Sequence, residues 1–213
     1  MTVVLAAQLV LASASPRRAE ILRGAGFSFT IAPADVDETA GPEVGPRELA
    51  AGLASLKAQA VALQRPDVAV LAADTVVALD GKFLGKPSAP GKAREMLIGL
   101  RGRQHTVITA VCLTWRGRSL AGVVETAVRF RRFSRREADA YVSSGAPLDK
   151  AGAYGIQDRP FSPVASYDGC YLNVVGLPLC LTGDLLTGAG LLPQGVSAPL
   201  CPGHVVAGQE VKA

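Results

Sequence analysis

Residues 9–24 read LVLASASPRRAEILRG, a stretch in which an apolar run meets a polar turn and then a charged segment. The run at residues 9–12 predicts a buried strand, because short apolar segments rich in Val and Leu favour the interior of a sheet. The SASP cluster at residues 13–16 predicts a turn, and a helix is expected over residues 17–24. A strand that turns directly into a helix is typical of a layered α/β domain.

The same alternation continues along the chain. The central strand over residues 68–73 is expected to end at Asp74, where its apolar run stops. Asp-Gly at residues 80–81 predicts a hairpin turn, and residues 134–137 begin with Ser and end with Glu, the pattern of a capping box. Further strands are predicted over residues 27–32, 76–79, 104–113, 121–130 and 171–175, and further helices over residues 47–63, 92–100, 135–144 and 178–186. The pattern therefore predicts an α/β fold.

Length and composition limit the class of protein. A chain of 213 residues has the size of one large or two-lobed domain, which is predicted over residues 1–187. Residues 188–213, rich in Gly, Pro and small side chains, are predicted to form a flexible C-terminal tail. Apolar residues at 49% and charged residues at 19% exclude wholesale disorder. The net charge of +4 is too weak for a protein that coats nucleic acid, but it suits a small anionic substrate.

The sequence predicts a cytoplasmic protein with no membrane and no nucleic-acid partner. Residues 3–14 are apolar, but they lack the basic segment that opens a signal peptide. No apolar stretch approaches the roughly 18–20 uncharged residues that a membrane-spanning helix needs. The four cysteines show no metal-binding spacing, which indicates reduced structural thiols.

The common phosphate and zinc motifs do not fit this chain. Residues 81–86, GKFLGK, have one residue too few between their glycines for a Walker A loop, and Pro87 takes the place of the required Ser or Thr. His105 and His204 lie far apart in the sequence, and there is no HExxH pattern. No GxGxxG motif follows a strand, so both zinc and dinucleotide sites are poor interpretations.

The turn after the first strand is a candidate phosphate site. A helix begins there, so unpaired backbone N–H groups and a partial positive charge face outward. Ser13, Ser15, Arg17 and Arg18 add hydroxyl and guanidinium groups that bind phosphate well. The same residues also fit an ordinary serine helix cap with surface arginines, and this stretch alone does not separate the two interpretations.

Two acidic positions are candidates for metal binding or proton transfer. Asp74 is expected at the tip of the central strand, where an open α/β sheet binds its ligands. A carboxylate there can bind a metal or accept a proton from water, or it can simply close an Asx turn. Glu38 follows Asp37 on a loop beside the second strand and is a ligand of the kind that magnesium prefers, although acidic loop residues are also often only solvated.

Two lysines and one loop complete the set of candidates. Lys57 falls on the amphipathic helix over residues 47–63, and Lys86 lies on a loop; each is either a surface residue or a mobile charge that reaches a phosphate. Residues 149–157, DKAGAYGIQ, combine charge, a flexible backbone and a polar end, which is typical of a functional loop. The apolar face of the helix is predicted from Leu49, Leu53, Leu56, Ala60 and Leu63.

These motifs, in this order, resemble the Maf family of nucleotide pyrophosphatases, relatives of the ITPase-like house-cleaning enzymes. The resemblance runs from about Leu9 to Leu186. It is carried by LASASPRR at 11–18, VDE at 36–38, KA at 57–58, AADTVV at 72–77, GKP at 85–87, HTVITAV at 105–111, ETAVRF at 125–130, PLDKAGAYGIQ at 147–157 and NVVGLPL at 173–179.

The resemblance implies a Maf/ITPase-like fold, in which a twisted mixed sheet with flanking helices forms two lobes around a central cleft. It implies hydrolysis of a nucleoside triphosphate to the monophosphate and pyrophosphate with a divalent cation, Mg²⁺, Mn²⁺ or Co²⁺, and a homodimer as the expected assembly. The implied catalytic residues are Asp74, Lys57 and Lys86; the implied metal ligands are Glu38 and Asp74; the implied substrate-binding residues are Ser13, Ser15, Arg17, Arg18, Thr75, Lys150 and Gln157.

The resemblance also implies base preference, because Arg17, Thr75 and Gln157 match the positions associated with base choice in the branch of the family that acts on dTTP and UTP. Of these, Gln157 offers an amide to the base. Its amide can accept a hydrogen bond from uracil N3–H and donate one to a ring carbonyl, whereas a flipped amide could pair with cytosine and a carboxylate would suit guanine. The chain departs from the usual glycine-rich continuation, since residues 158–161 read DRPF. Two alternatives stay open: a 7-methyl-GTP pyrophosphatase, and a non-catalytic nucleotide-binding regulator of septum formation.

Overall fold

The structure is a computed structural model, and it describes residues 3, 5–38, 44–159 and 161–192. Within these residues the strands are β1 (Leu9–Leu11), β2 (Phe29–Ile31), β3 (Ala69–Leu79), β4 (Lys82–Leu84), β5 (Gln104–Trp115), β6 (Arg118–Phe130) and β7 (Val164–Asp168). The helices are α1 (Pro16–Gly24), α2 (Pro46–Gln64), α3 (Pro90–Leu100), α4 (Arg135–Ser143), α5 (Tyr171–Val175) and α6 (Leu179–Gly188), with short 3-10 turns at Ala146–Asp149 and Ala151–Ala153.

The strands form one mixed sheet in the order β2-β1-β3-β5-β6-β7, and β4 pairs with β3 as a hairpin. β1 is parallel to both β2 and β3, whereas the other pairs are antiparallel. The predicted hairpin turn is confirmed: Asp80 and Gly81 both have positive φ, as a type I′ turn requires. The mixed α/β sheet that was expected is therefore present.

Three apolar clusters cover the sheet and divide the domain into two lobes. In one lobe, α2 covers one face of β1, β3 and β5, and α1 and α6 cover the other face. The second lobe packs α3, α4 and the 3-10 turns around the far ends of β3, β5 and β6. β3 contributes side chains to all three clusters. The middle of this strand therefore lies where the two lobes meet.

Asp74 does not end a strand, so the predicted strand tip is wrong. β3 runs unbroken from Ala69 to Leu79, because β5 pairs with it along its length and Asp74 lies opposite Ala110. The neighbour on the other side stops earlier, since the last pairing of β1 with β3 joins Leu11 to Leu71. Asp74 therefore lies just beyond the end of β1, beside the turn that follows it.

The buried face of α2 differs in part from the prediction: Leu49 and Leu53 pack on the sheet as expected. Leu56 and Leu63, expected to face inward, are 43% and 85% exposed. The face that packs on the sheet consists mainly of small residues, including Ala50, Ala54 and Ala58. Alanines let a helix axis approach the sheet closely, and the longer leucines are left at the rim. Lys57 lies on this buried alanine face.

Other local predictions have mixed outcomes. The capping box of α4 is confirmed, with reciprocal hydrogen bonds between Ser134 and Glu137. The strand predicted over residues 171–175 is wrong: these residues form α5, whose first turn is capped by the sulfur of Cys170. A short apolar run does not distinguish a strand from a buried helical turn. β7 was not predicted, because Gly and Pro interrupt the sequence around it.

The last described residues continue the core. Leu191 is buried, and its carbonyl accepts a hydrogen bond from the backbone N–H of Ala6. Residues 193–213, including Cys201 and His204, lie outside the described residues. The domain limit at residue 187 and the flexible tail stay predictions. Among the described helices, none combines the length and apolarity needed to cross a bilayer.

His105 makes the stability of the fold sensitive to acid. It is 3% exposed, and its Nε2 lies 2.7 Å from the hydroxyl of Tyr154. Burial lowers its pKa from 6.5 to about 4, so the unfolded chain takes up a proton at this residue before the folded protein does. The free energy of unfolding is therefore expected to fall by about 3 kcal/mol between pH 6.5 and pH 4, at about 1.36 kcal/mol per pKa unit.

Urea denaturation of the wild type and His105→Gln at pH 7 and pH 4 tests this expectation. Glutamine keeps a polar group facing Tyr154 but does not titrate. The variant is expected to be less stable at pH 7, and the difference in unfolding free energy should shrink at pH 4. The carboxylates titrate equally in both proteins. If the difference in unfolding free energy between them were the same at pH 7 and pH 4, His105 would not be the source of the acid sensitivity.

Candidate active site

A cavity of about 520 Å³ lies between the two lobes, over the middle of β3. Its walls come from the turn after β1, from α2, from the loop after β4 and from residues 149–158. Ser13 is buried immediately behind this wall. The predicted site residues that line the cavity are Ser15, Arg17, Arg18, Glu38, Lys57, Asp74, Thr75, Lys86, Lys150 and Gln157.

Strand alternation places Asp74 on the α2 side of the sheet. Ala72 and Val76, two positions before and after it, pack in the cluster beneath α2. Lys57 reaches Asp74 from the alanine face of that helix, and its Nζ lies 2.6 Å from Asp74 Oδ1. Both side chains are largely buried, at 10% and 11% exposure. Two buried charges of this kind are stable only when paired.

Glu38 joins the same ammonium group from the loop after β2. Its Oε1 lies 2.8 Å from Lys57 Nζ, so two carboxylates meet at one nitrogen. Partial burial raises the pKa of Glu38, but the hydrogen bond from Lys57 and the charges of Lys57, Lys86 and Arg18 outweigh it and hold the pKa below its usual value. Glu38 is therefore a carboxylate at neutral pH, held by the positive field of the cavity.

This donor set fits a divalent cation that is shared with a substrate. Magnesium usually takes one or two protein carboxylates and completes its shell with water and phosphate oxygens. Glu38 and Asp74 supply two such carboxylates at a single point. In the part of the chain that the structure describes, no three His, Cys, Asp or Glu residues come together as a metal cage. Glu38 and Asp74 are therefore the residues that could hold a divalent cation in this cavity.

The turn between β1 and α1 holds Arg18 in a fixed orientation. Its guanidinium donates to the Gly176 carbonyl at 2.9 Å, to Ser13 Oγ at 3.1 Å and to Thr75 Oγ1 at 3.1 Å. Burial lowers the pKa of Arg18, and the charge of Asp74 partly offsets this effect. Ser15 occupies the N-cap position of α1, yet its side chain makes no capping hydrogen bond. The alternative interpretation, in which a serine side chain caps this helix, is thus wrong for Ser15.

Thr75 lies on the face of β3 opposite Asp74 and begins a chain of hydroxyl contacts. Its Oγ1 lies 3.0 Å from Thr109 Oγ1, which donates to the carbonyl of Asn173 at 2.9 Å. The Asn173 amide nitrogen donates to the Val107 carbonyl and to Thr126. The chain ties the orientation of Arg18 to β5, β6 and α5.

Sequence reasoning missed Thr109, Asn173 and Gly176 as supports of Arg18. All three lie inside the quoted motifs, but their contacts join positions far apart in sequence. Gly176 has φ of 121°, outside the range of ordinary side chains. A Cβ added there would lie 3.2 Å from Thr75 Oγ1 and 3.6 Å from Arg18 Nε. Glycine is thus favoured here both by the positive φ of the backbone and by the small space beside Thr75 and Arg18.

Gly176→Ala is expected to destabilise the protein by about 1–3 kcal/mol, because alanine is strained at this φ. The added methyl group should also displace Arg18 and weaken binding of the nucleotide that the resemblance implies. Gly117→Ala is the matched control, since Gly117 also has positive φ, at 73°, but open space around its Cβ position. Urea denaturation and calorimetric titration with UTP should show lost stability in both variants and lost affinity only in Gly176→Ala. Equal affinities would remove Gly176 from the support of Arg18.

The opposite wall of the cavity carries charged residues in alternation. Arg17 donates to Asp149 Oδ2 at 3.0 Å, and Lys150 contacts Asp149 Oδ1 at 2.9 Å and Asp158 Oδ2 at 3.4 Å. Partial burial raises the pKa of Asp149, but the hydrogen bonds from Lys150 and Arg17 and their positive charges outweigh it and hold the pKa below its usual value. Lys86 and Gln157 are exposed on the cavity rim. Lys150 is therefore paired with two carboxylates on this wall, and Arg17 with one.

Comparison with known proteins identifies the family to which this chain belongs. Among curated relatives, a dTTP/UTP pyrophosphatase from Symbiobacterium thermophilum is 49% identical over 86% of this chain and 94% of its own length. Another from Dehalococcoides mccartyi is 44% identical over 88% of this chain and 84% of its own length. Among solved structures, a HAM1 protein from Coxiella burnetii matches with a TM-score of 0.43 and 19% identity, over 60% of this chain and 74% of that chain. Residues 8–189 match the description of Maf-like proteins. The chain belongs to the Maf family.

Proposed function

We propose that this protein hydrolyses dTTP, UTP and modified pyrimidine nucleoside triphosphates to the nucleoside monophosphate and pyrophosphate. Curated relatives with 42–49% identity carry the name dTTP/UTP pyrophosphatase, which supports the substrate class. The site supports the reaction class, because a buried carboxylate faces a cavity lined by five basic side chains, those of Arg17, Arg18, Lys57, Lys86 and Lys150.

The phosphates are assigned to the end of the cavity beside α1. Arg18 already has an orientation fixed by three acceptors, so it can bind phosphate without losing further side-chain freedom. Ser15 adds a hydroxyl, and Lys86 adds a mobile charge from the rim. Thr75, which accepts a hydrogen bond from Arg18, is assigned to holding that guanidinium.

Hydrolysis requires water to attack the α-phosphorus while the bond to the bridging oxygen breaks. The pyrophosphate leaves with that oxygen, and the water loses a proton. We assign the proton to Asp74, whose carboxylate faces the cavity beside the phosphate-binding groups. Lys57 holds the carboxylates of Asp74 and Glu38 in place. A divalent cation bound by Glu38 and Asp74 would neutralise charge on the phosphates.

The base is assigned to the end of the cavity where Gln157 lies. Its amide has both a donor and an acceptor, which match a ring carbonyl and the N3–H of uracil or thymine. A site that hydrogen-bonds a substrate in this way favours the matching base, because a mismatched base leaves the donor and acceptor of the amide without partners.

The observation that carries the proposal is the meeting of Asp74, Lys57 and Glu38 opposite the Arg18 turn. Turnover of UTP, dTTP, CTP, GTP and 7-methyl-GTP with Mg²⁺, Mn²⁺ or Co²⁺, assayed for pyrophosphate and monophosphate, tests it. UTP and dTTP are expected to be the best substrates. Preference for 7-methyl-GTP would assign the protein to the other branch of the family, and absence of pyrophosphate from every nucleotide would favour a non-catalytic regulator of septum formation. A cytoplasmic location and a homodimer stay predictions.

A further inference from the structure

Asp158 links the phosphate end of the cavity to its base end. Arg17, Asp149, Lys150 and Asp158 alternate in charge along one wall, with contacts of 3.0, 2.9 and 3.4 Å between successive members. The chain starts on α1 and ends at the residue next to Gln157. The Lys150 and Asp158 side chains are 11% and 22% exposed, so solvent screens this pair less than a surface pair.

Asp158 also closes the turn that presents Gln157. The backbone N–H of Asp158 donates to the Gly155 carbonyl at 3.1 Å, so Gln157 lies inside a closed turn. The hydroxyl of Tyr141 donates to Asp158 Oδ2 and accepts from the backbone N–H of Gly155 at 3.3 Å. A single phenol on α4 thus holds both ends of the turn.

Apart from Tyr141 and Lys150, the turn is held by the backbone N–H of Ser162, which donates to the Asp158 carbonyl at 3.1 Å. A second cavity of about 720 Å³ lies behind it, and Gln157 and Asp158 line both cavities. Tyr141 itself is rigid, because it is 7% exposed and its ring stacks on Phe161 at 4.4 Å. Burial and the neighbouring Asp158 raise the pKa of Tyr141, so its hydroxyl remains a donor at neutral pH. Hydrogen bonds, more than packing, therefore fix the turn.

We propose that Asp158 is a positioning residue for base recognition, which holds the turn so that Gln157 meets a uracil or thymine ring in one orientation. This inference rests on the proposed function. Without the anchor, the turn would shift and the Gln157 amide could present its flipped face, which pairs with cytosine. Asp158 thus acts through Gln157, and it determines specificity rather than the rate of the chemical step.

The test compares Asp158→Ala and Asp158→Asn in steady-state kinetics with UTP and CTP. Alanine removes the contacts with both Tyr141 and Lys150, whereas asparagine keeps an oxygen that accepts from Tyr141. In the alanine variant, the ratio of kcat/KM for UTP over CTP is expected to fall by about tenfold, mainly through a higher KM for UTP. Asparagine should restore part of this ratio.

Asp139→Asn is the matched control, because Asp139 lies on α4 two residues before Tyr141, pairs with Arg94 at 2.6 Å and does not line the cavity. It should leave the ratio unchanged. Loss of folded protein would lower kcat for both nucleotides equally and would not move the ratio. An unchanged ratio in Asp158→Ala, with an active wild type, would overturn the inference alone. A wild type that hydrolyses no nucleotide would instead overturn the proposed function.

Discussion

Asp74→Asn is expected to abolish pyrophosphate release while UTP still binds. Asparagine has the same shape as aspartate but cannot accept a proton from the attacking water. General base catalysis contributes about 10²–10⁴-fold to a rate, and kcat should fall by at least that factor. The fold should survive, because Lys57 keeps its contact with Glu38 at 2.8 Å and is not left buried without a partner.

Single-turnover assays with labelled UTP measure the rate, and calorimetric titration measures binding. Asp139→Asn makes the same chemical change in an exposed ion pair outside the cavity and should retain full activity. If Asp74→Asn were as active as this control, Asp74 would have no part in proton transfer. If it lost nucleotide binding as well, its main role would be to hold Lys57 and a cation.

Part of the candidate site was predictable, because local sequence patterns mark the positions of several of its residues. The turn at residues 13–18 follows from an apolar run, a serine cluster and a helix start, and β1 and α1 form there. Asp74 was identified as a candidate by its position after a buried run, even though β3 does not end there. A strand continues through a polar residue when a neighbouring strand supplies its hydrogen bonds, and β5 does so here.

The features of the fold and of the site that the sequence did not predict depend on contacts between residues far apart in the chain. The leucine spacing of α2 predicted only part of its buried face: Leu49 and Leu53 pack on the sheet, but alanines replace Leu56 and Leu63 there. With this face on the sheet, Lys57 faces Asp74 instead of solvent. The contacts of Thr109 with Asn173 and of Tyr141 with Asp158 join separate elements, and a single sequence has no local pattern that pairs them.

The phosphate end and the base end of the cavity should be separable by mutation. Residues around Asp74 are tied to the sheet through β3, β5 and α5, whereas Gln157 belongs to a turn held from α4. Changes at Gln157 are therefore expected to alter which nucleotide is used, with little effect on stability or on the hydrolytic groups.

Gln157→Glu is accordingly expected to reverse base preference. A carboxylate only accepts hydrogen bonds, so it loses the contact with a ring carbonyl of uracil and repels it, but it suits guanine, which donates from N1 and N2. Loss of a hydrogen-bond partner costs about 1–3 kcal/mol, so kcat/KM for UTP is expected to fall by about 10–100-fold, with GTP turnover gaining relative to it.

Gln104→Glu is the control for the added charge, because Gln104 is exposed at the start of β5 and does not line the cavity. It should leave the ratio of kcat/KM for UTP over GTP as in the wild type. If kcat/KM fell equally for UTP and GTP in Gln157→Glu, the new charge would be repelling the phosphates and not contacting the base. An unchanged ratio would place the base elsewhere in the cavity, since an exposed glutamine that touches no base has no reason to discriminate between them.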